Sequence, residues 1–98
     1  METRLYNRFN LGATCSLVMG NKMVEHKVLN ISVGGMLVEK DNDCVYSVGD
    51  NLPCSIKFAD CQLDVTSVVL RIQERSVALK FELSKRQKET LNRQIRKR

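Results

Sequence analysis

The stretch LGATCSLVMGNKMVEHKVL, residues 11–29, decides the fold. Leu11, Ala13, Cys15, Leu17 and Met19 alternate with Gly12, Thr14, Ser16 and Val18. A period of two puts one set on each face of a β-strand. Gly20-Asn21 is a two-residue turn signal. Val24 to Leu29 then returns as a second strand, with Glu25 and Lys27 toward water.

Working outward, the second strand breaks at Asn30–Gly35 and the apolar run resumes at Met36 to Val38. Residues 39–51 are polar, end in a Gly-Asp turn signal, and read as a loop. Cys54, Ile56 and Phe58 alternate again; Pro53 has no N–H to give a ladder and fits only near the start of that strand. Asp60-Cys61 is a turn. Leu63 and Val65 share one face, whereas Val68, Leu70 and Ile72 have the opposite phase, so a bulge or bend is expected near Thr66-Ser67. Gln73-Glu74-Arg75 turns the chain, and Val77, Leu79 and Phe81 form the last inward row.

The period then changes. Ser84-x-x-Gln87 has the form of a capping box, and Gln87, Leu91 and Ile95 lie four apart on one helical face. This predicts a helix from about Lys85 to Arg96, too short and polar to stand alone, which must dock on the strands or on a partner. The fold class is therefore mainly β: a six-stranded antiparallel barrel with a C-terminal helix. The 98 residues suit one domain, with an N-terminal arm over residues 1–10, the barrel over 11–83 and the helix over 84–98.

Hydrophobic residues make up 43% of the chain, enough for a core, but there is no Trp, so Val, Leu, Ile and Met must fill it. The net charge of +5 is uneven. From Lys85 to Arg98 seven cations stand against Glu89 alone, while the rest of the chain is near neutral. This tail is either a solvated helix face or a surface for an anionic partner. It has no interleaved aromatics, which argues against nucleic acid.

Four cysteines, at 15, 44, 54 and 61, form no C-x-x-C pair, and the single histidine, His26, has no metal-ligand spacing to them. Cys15 and Cys54 read as small buried apolar residues. No metal is expected. The start Met1-Glu2-Thr3-Arg4 is not a secretory signal, and no apolar run is long enough to span a bilayer; a cytoplasmic protein with reduced thiols is expected. No catalytic set presents itself. A Ser-His-Asp arrangement would have to use His26, which reads as a solvent-facing or half-buried structural residue. Asp41 and Asp43 are paired carboxylates in a loop without further support, and no phosphate loop of the Gly-x-x-x-x-Gly-Lys kind occurs. These readings argue against an enzyme.

Two pieces remain. METRLYNRFNLG, residues 1–12, carries Arg4 and Arg8 four apart. Arg71 and Arg75 share that spacing and are assigned to a strand end and a turn. The second piece is Asn30-Ile31-Ser32-Val33-Gly34-Gly35, which taken alone is a turn stabilised by its own side chains. In this order and separation, Arg-x-x-x-Arg followed by Asn-x-Ser-x-x-Gly resembles the signature of the PilZ domain family, whose second motif begins with Asp or Asn. VGDNLPCSIKF, VALKFELS and the final helix are also similar to their counterparts in that family.

The resemblance implies a six-stranded PilZ-type barrel ending in a helix. It also implies a receptor for cyclic di-GMP, a ligand and not a resident cofactor. Arg4 and Arg8 match the motif arginines, and arginine suits guanine O6 and N7 or a phosphate. Asn30 matches the guanine-contacting position, with a donor and an acceptor where Asp only accepts. Ser32 matches the hydroxyl position. Gly35 matches the motif glycine with Gly34 beside it, where glycine permits positive φ or close backbone approach. Thr3 stands where some members have another Arg, which leans toward one ligand per protein. Tyr6 and Phe9 flank the arginines; either could stack on a base, and Phe9 otherwise anchors the barrel edge.

What the resemblance implies for function is a stand-alone receptor or adaptor. Ligand would order the Arg4–Arg8 arm, and the reshaped face would regulate an unidentified partner protein in motility, biofilm or exopolysaccharide control. The alternative is a PilZ-like adaptor that does not bind the nucleotide, its Asn30–Gly35 motif being only structural.

Overall fold

Gly20 makes the first hairpin. It takes φ +67° while Asn21 stays at negative φ, the type II′ pattern that matches the twist of paired strands. In this computed structural model, which describes residues 13–96, β1 (Thr14–Met19) folds back on β2 (Lys22–Ile31) with Met19 opposite Lys22. β3 (Gly35–Glu39), β4 (Asn51–Lys57), β5 (Gln62–Ile72) and β6 (Ser76–Glu82) follow, then α1 (Lys85–Arg96). All pairings are antiparallel, and the strands close into a barrel in the order β1-β2-β3-β6-β5-β4. Closure leaves no free edge among them. Pro53 lies just beyond the β1–β4 pairing, which ends at Leu17 and Cys54, so its missing N–H interrupts no ladder there.

The inward rows are those the alternation predicts. Cys15, Leu17, Cys54, Ile56, Val77, Leu79 and Phe81 are buried and form one core with Ile31, Met36, Val38, Val65 and Val69. Cys15 and Cys54 are free thiols. The Cys15 thiol is pushed well above its usual range, first by its hydrogen bond with the Cys54 thiol and then by burial.

Each barrel end is plugged. At one end the 40–50 loop inserts Tyr46, which is buried. Its hydroxyl lies 2.8 Å from His26 Nε2 and accepts the Asp41 N–H at 2.9 Å. His26 Nδ1 sits 2.9 Å from the Val24 carbonyl, which can only accept. Nδ1 therefore carries the proton, and Nε2 accepts from Tyr46. His26 is 2% exposed, so it is structural but fully buried, not solvent-facing or half-buried as its charged neighbours suggest. Burial pushes the Tyr46 hydroxyl up to about 12.

At the other end α1 packs against β5. The capping box forms reciprocally: Gln87 N–H donates to Ser84 Oγ (3.2 Å), and Ser84 N–H to Gln87 Oε1 (2.8 Å). Gln87 Nε2 also donates to the Asp64 carbonyl at 2.7 Å, and Leu91 is wholly buried. The helix thus docks on its own barrel. No helix among the described residues is long and apolar enough to cross a membrane.

The bulge expected near Thr66-Ser67 lies elsewhere. Leu63, Val65, Ser67 and Val69 keep one inward phase, and the register shifts only between Val69 and Arg71. Ser67 is the reason. Although polar, it is fully buried, and its hydroxyl donates to the Leu52 carbonyl at 2.7 Å. Val68 and Leu70 face outward instead. A second shift, between Val28 and Asn30, was not legible from the alternation.

Candidate functional site

The two register shifts fall on one row. Leu29 and Asn30 of β2 both oppose Leu37 of β3, Leu37 pairs with Ala78 of β6, and Ala78 faces both Leu70 and Arg71 of β5. At each bulge two consecutive residues meet one partner. Each contributes an exposed leucine, Leu29 at 36% and Leu70 at 55% accessibility, followed by a polar side chain. The central β3–β6 pair is thereby flanked by Leu-Asn on one side and Leu-Arg on the other. At about 4.8 Å per strand, Asn30 and Arg71 stand roughly 14 Å apart across the sheet.

Between them lies an open groove of about 320 Å³, lined among others by Asn30, Ser32, Gly34, Gly35, Arg71 and Lys80. Its floor is low because Gly35 and Ala78 carry almost no side chain. Arg71 and Lys80 are exposed, and no carboxylate lines the groove. A larger cavity of about 430 Å³ near the 40–50 loop sets Asp41 and Asp43 against Lys22 alone, a net negative lining that disfavours an anion. The acid-free groove is therefore the better place for phosphate.

One edge of the groove is the β2–β3 connection. Asn30 belongs to β2 and not to the break, which narrows to residues 32–34. Ser32 N–H donates to the Gly35 carbonyl (2.8 Å), Gly34 N–H to Ser32 Oγ (3.3 Å), and Ser32 Oγ to the Gly35 carbonyl (3.4 Å). The Gly34 carbonyl accepts from Phe81 N–H at 2.9 Å, tying the turn to β6. Neither Gly34 nor Gly35 adopts positive φ. Gly35 is required for close approach: a Cβ there would collide with the Leu79 carbonyl oxygen and lie 3.2 Å from Lys80 Cα. At Gly34 the same atom would meet nothing nearer than Ser32 Oγ at 4.0 Å.

Of the residues singled out in the sequence, Asn30, Ser32, Gly34 and Gly35 come together around this groove. Arg4 and Arg8, with Tyr6 and Phe9, lie outside the described residues. Leu70, Arg71 and Lys80 were not singled out as site residues. Arg71 was assigned to a strand end, which is correct as position, but the misplaced bulge hid which face it takes. Asn30 has no side-chain hydrogen bond among the described residues, so both its amide groups are available on the groove side. No grouping of metal-binding side chains occurs among the described residues.

The comparisons with known proteins agree with this architecture. The PilZ domain model matches residues 2–97. No curated protein matches. The solved structure of the Bacillus subtilis inhibitor of motility (MotI/DgrA) superposes with a TM-score of 0.78 at 21% identity, covering 99% of this chain and 52% of that one. The chain thus spans about half the length of that relative. A Legionella protein, the uncharacterized Lpg0364, superposes with a TM-score of 0.65 at 16% identity, covering 93% of this chain and 96% of that one. With the family model matching nearly its whole length, the chain belongs to the PilZ domain family.

Proposed function

We propose that this PilZ-family chain is a cyclic di-GMP receptor that acts in the cytoplasm, without catalysis, by changing how it engages a partner protein. One observation carries the reading. Paired bulges set two hydrogen-bonding side chains, Asn30 and Arg71, on opposite sides of an acid-free groove. A ligand with two guanines and two phosphate charges meets matching chemistry there. Asn30 supplies an amide for a guanine edge. Arg71 supplies a planar fork for guanine O6 and N7 or for a phosphate. Lys80 adds a point charge, and the exposed Leu70 offers apolar contact to a purine face. Arg4 and Arg8 supply the further cations that two phosphates and two guanines call for. Arg8 precedes Thr14 by six residues, a span of up to about 20 Å when extended, and β1 begins at the barrel end that holds the Ser32–Gly35 turn.

Calorimetric titration of the purified chain with cyclic di-GMP tests this. Binding is expected, with a large loss in the Arg4→Ala/Arg8→Ala double variant. Near wild-type affinity in that variant, or no heat with folded wild-type protein, overturns the proposal.

One observation favours a nucleotide-free adaptor. Ser32 already bonds within its own turn and Gly35 is needed sterically, so these motif residues have structural reasons to be present. Amide shifts on titration separate the readings: the receptor predicts shifts at residues 4–9 and 30–36, the adaptor none there. The name of the Bacillus relative makes motility the first pathway in which to seek the partner.

A further inference from the structure

The helix α1 carries five exposed cations, Lys85, Arg86, Lys88, Arg93 and Arg96. Among the described residues none forms an ion pair, although Glu89 lies within one helical turn of Lys85, Arg86 and Arg93. Three of the five sit in or next to the first turn, which holds no acid. There the helix dipole and the unbonded N–H groups disfavour positive charge. Ordinary helix design places acids at that end and cations at the other. A sequence selected only for helix stability would not choose this pattern. The helix is also rigidly set, by its capping box, by the Gln87 bond to Asp64 and by the burial of Leu91. Its cations therefore stand on a fixed platform about 18 Å long.

We infer that the outer face of α1 is a docking surface for an acidic protein segment, one that also carries a cation opposite Glu89. Projected at 100° per residue, Lys85, Arg86, Glu89, Arg93 and Arg96 share one stripe about 100° wide, with Glu89 near its middle. A nucleic-acid backbone offers only negative charge and leaves Glu89 without a match; a protein surface can match both signs. A lipid surface fits no better, because the exposed face has no apolar residue to insert: its other members are Lys88 and Asn92. This surface is independent of the nucleotide groove, though β6 connects them. Lys80 lines the groove, and Phe81 to Ser84 lead from it directly into the helix.

The test uses the full chain and three probes: an 18-residue helical peptide with an acidic stripe interrupted by one lysine, a 16-base-pair DNA duplex, and phosphatidylglycerol vesicles. The peptide should bind and shift the amides of residues 85–96. Affinity should fall by about tenfold or more in Lys85→Glu/Arg86→Glu/Arg93→Glu. Two of its changes improve the charge at the helix N-terminus and the third removes a cation from the last turn, so a cooperative thermal transition near the wild-type Tm shows that it is folded. Its cyclic di-GMP titration should match wild type, which keeps this result separate from the nucleotide proposal. Glu89→Lys should weaken the peptide and strengthen the duplex. Tighter binding of the duplex or vesicles than of the peptide, an unaffected triple variant, or no shift on α1 overturns the inference.

Discussion

Gly35 and Leu79 approach so closely across the β3–β6 ladder that a methyl group on Gly35 would overlap the Leu79 carbonyl oxygen. Both partners are backbone in paired strands, so neither can move aside without displacing its neighbours. Gly35→Ala should therefore destabilise the barrel by about 1–3 kcal/mol, while Gly34→Ala, which enters open space, should change stability by less than about 0.5 kcal/mol. Urea unfolding of the two variants side by side decides it; equal midpoints would refute the steric argument.

The buried Ser67 hydroxyl holds the phase of β5. Ser67→Ala removes its bond to the Leu52 carbonyl and should cost about 1 kcal/mol. For a domain of this size that lowers Tm by about 4–8 °C. An unchanged Tm would show that the bond contributes nothing net.

Tyr46 gives a pH signature. Burial is the main cause of its raised value, with Cys44 adding to it and the Asp41 N–H opposing it; together they take the hydroxyl from 10.0 to about 12. A folded-state value above the unfolded one means that the neutral phenol stabilises the native state. That contribution is complete below pH 10 and disappears as pH rises through about 12. Denaturation midpoints at pH 9, 11 and 12 should fall more steeply for wild type than for Tyr46→Phe. Parallel curves would exclude the effect.

In the groove, Arg71→Ala should weaken cyclic di-GMP by about ten- to a hundredfold, as expected for loss of charge-assisted hydrogen bonds. Lys80→Ala, losing one flexible point charge, should cost less. If both titrate like wild type while Arg4→Ala/Arg8→Ala does not, the ligand rests on the turn and the arm alone.

Thiol labelling reads the barrel interior. Cys15 and Cys54 are buried, and Cys15 is held protonated; Cys44 and Cys61 are half-exposed. At pH 8 the native protein should release two thiols readily and four after unfolding. Four fast-reacting thiols in the native state would contradict the packing.

Strands β1, β4 and β6 and the helix were legible because their apolar residues keep strict phase, and because Ser84 and Gln87 are spaced for mutual bonding. The bulges were not. At Ser67 a polar residue takes an inward place that only its bond to Leu52 makes tolerable, so alternation alone assigns it outward. At Leu29 and Leu70 an apolar residue faces water, which hydropathy reads as core. Four residues of the candidate site, Asn30, Ser32, Gly34 and Gly35, were visible because they lie within six positions of one another. Arg71 and Lys80 reach the same groove only through cross-strand register, which depends on where the bulges fall.

In a ring of strands hydrogen-bonded all the way round, no member can slide without dragging the rest. The belt running through Leu29, Leu37, Ala78 and Leu70 is interrupted twice, so it is the compliant seam of an otherwise stiff cylinder. Pressure applied from outside along that seam meets an interrupted ladder, and the cylinder yields there first.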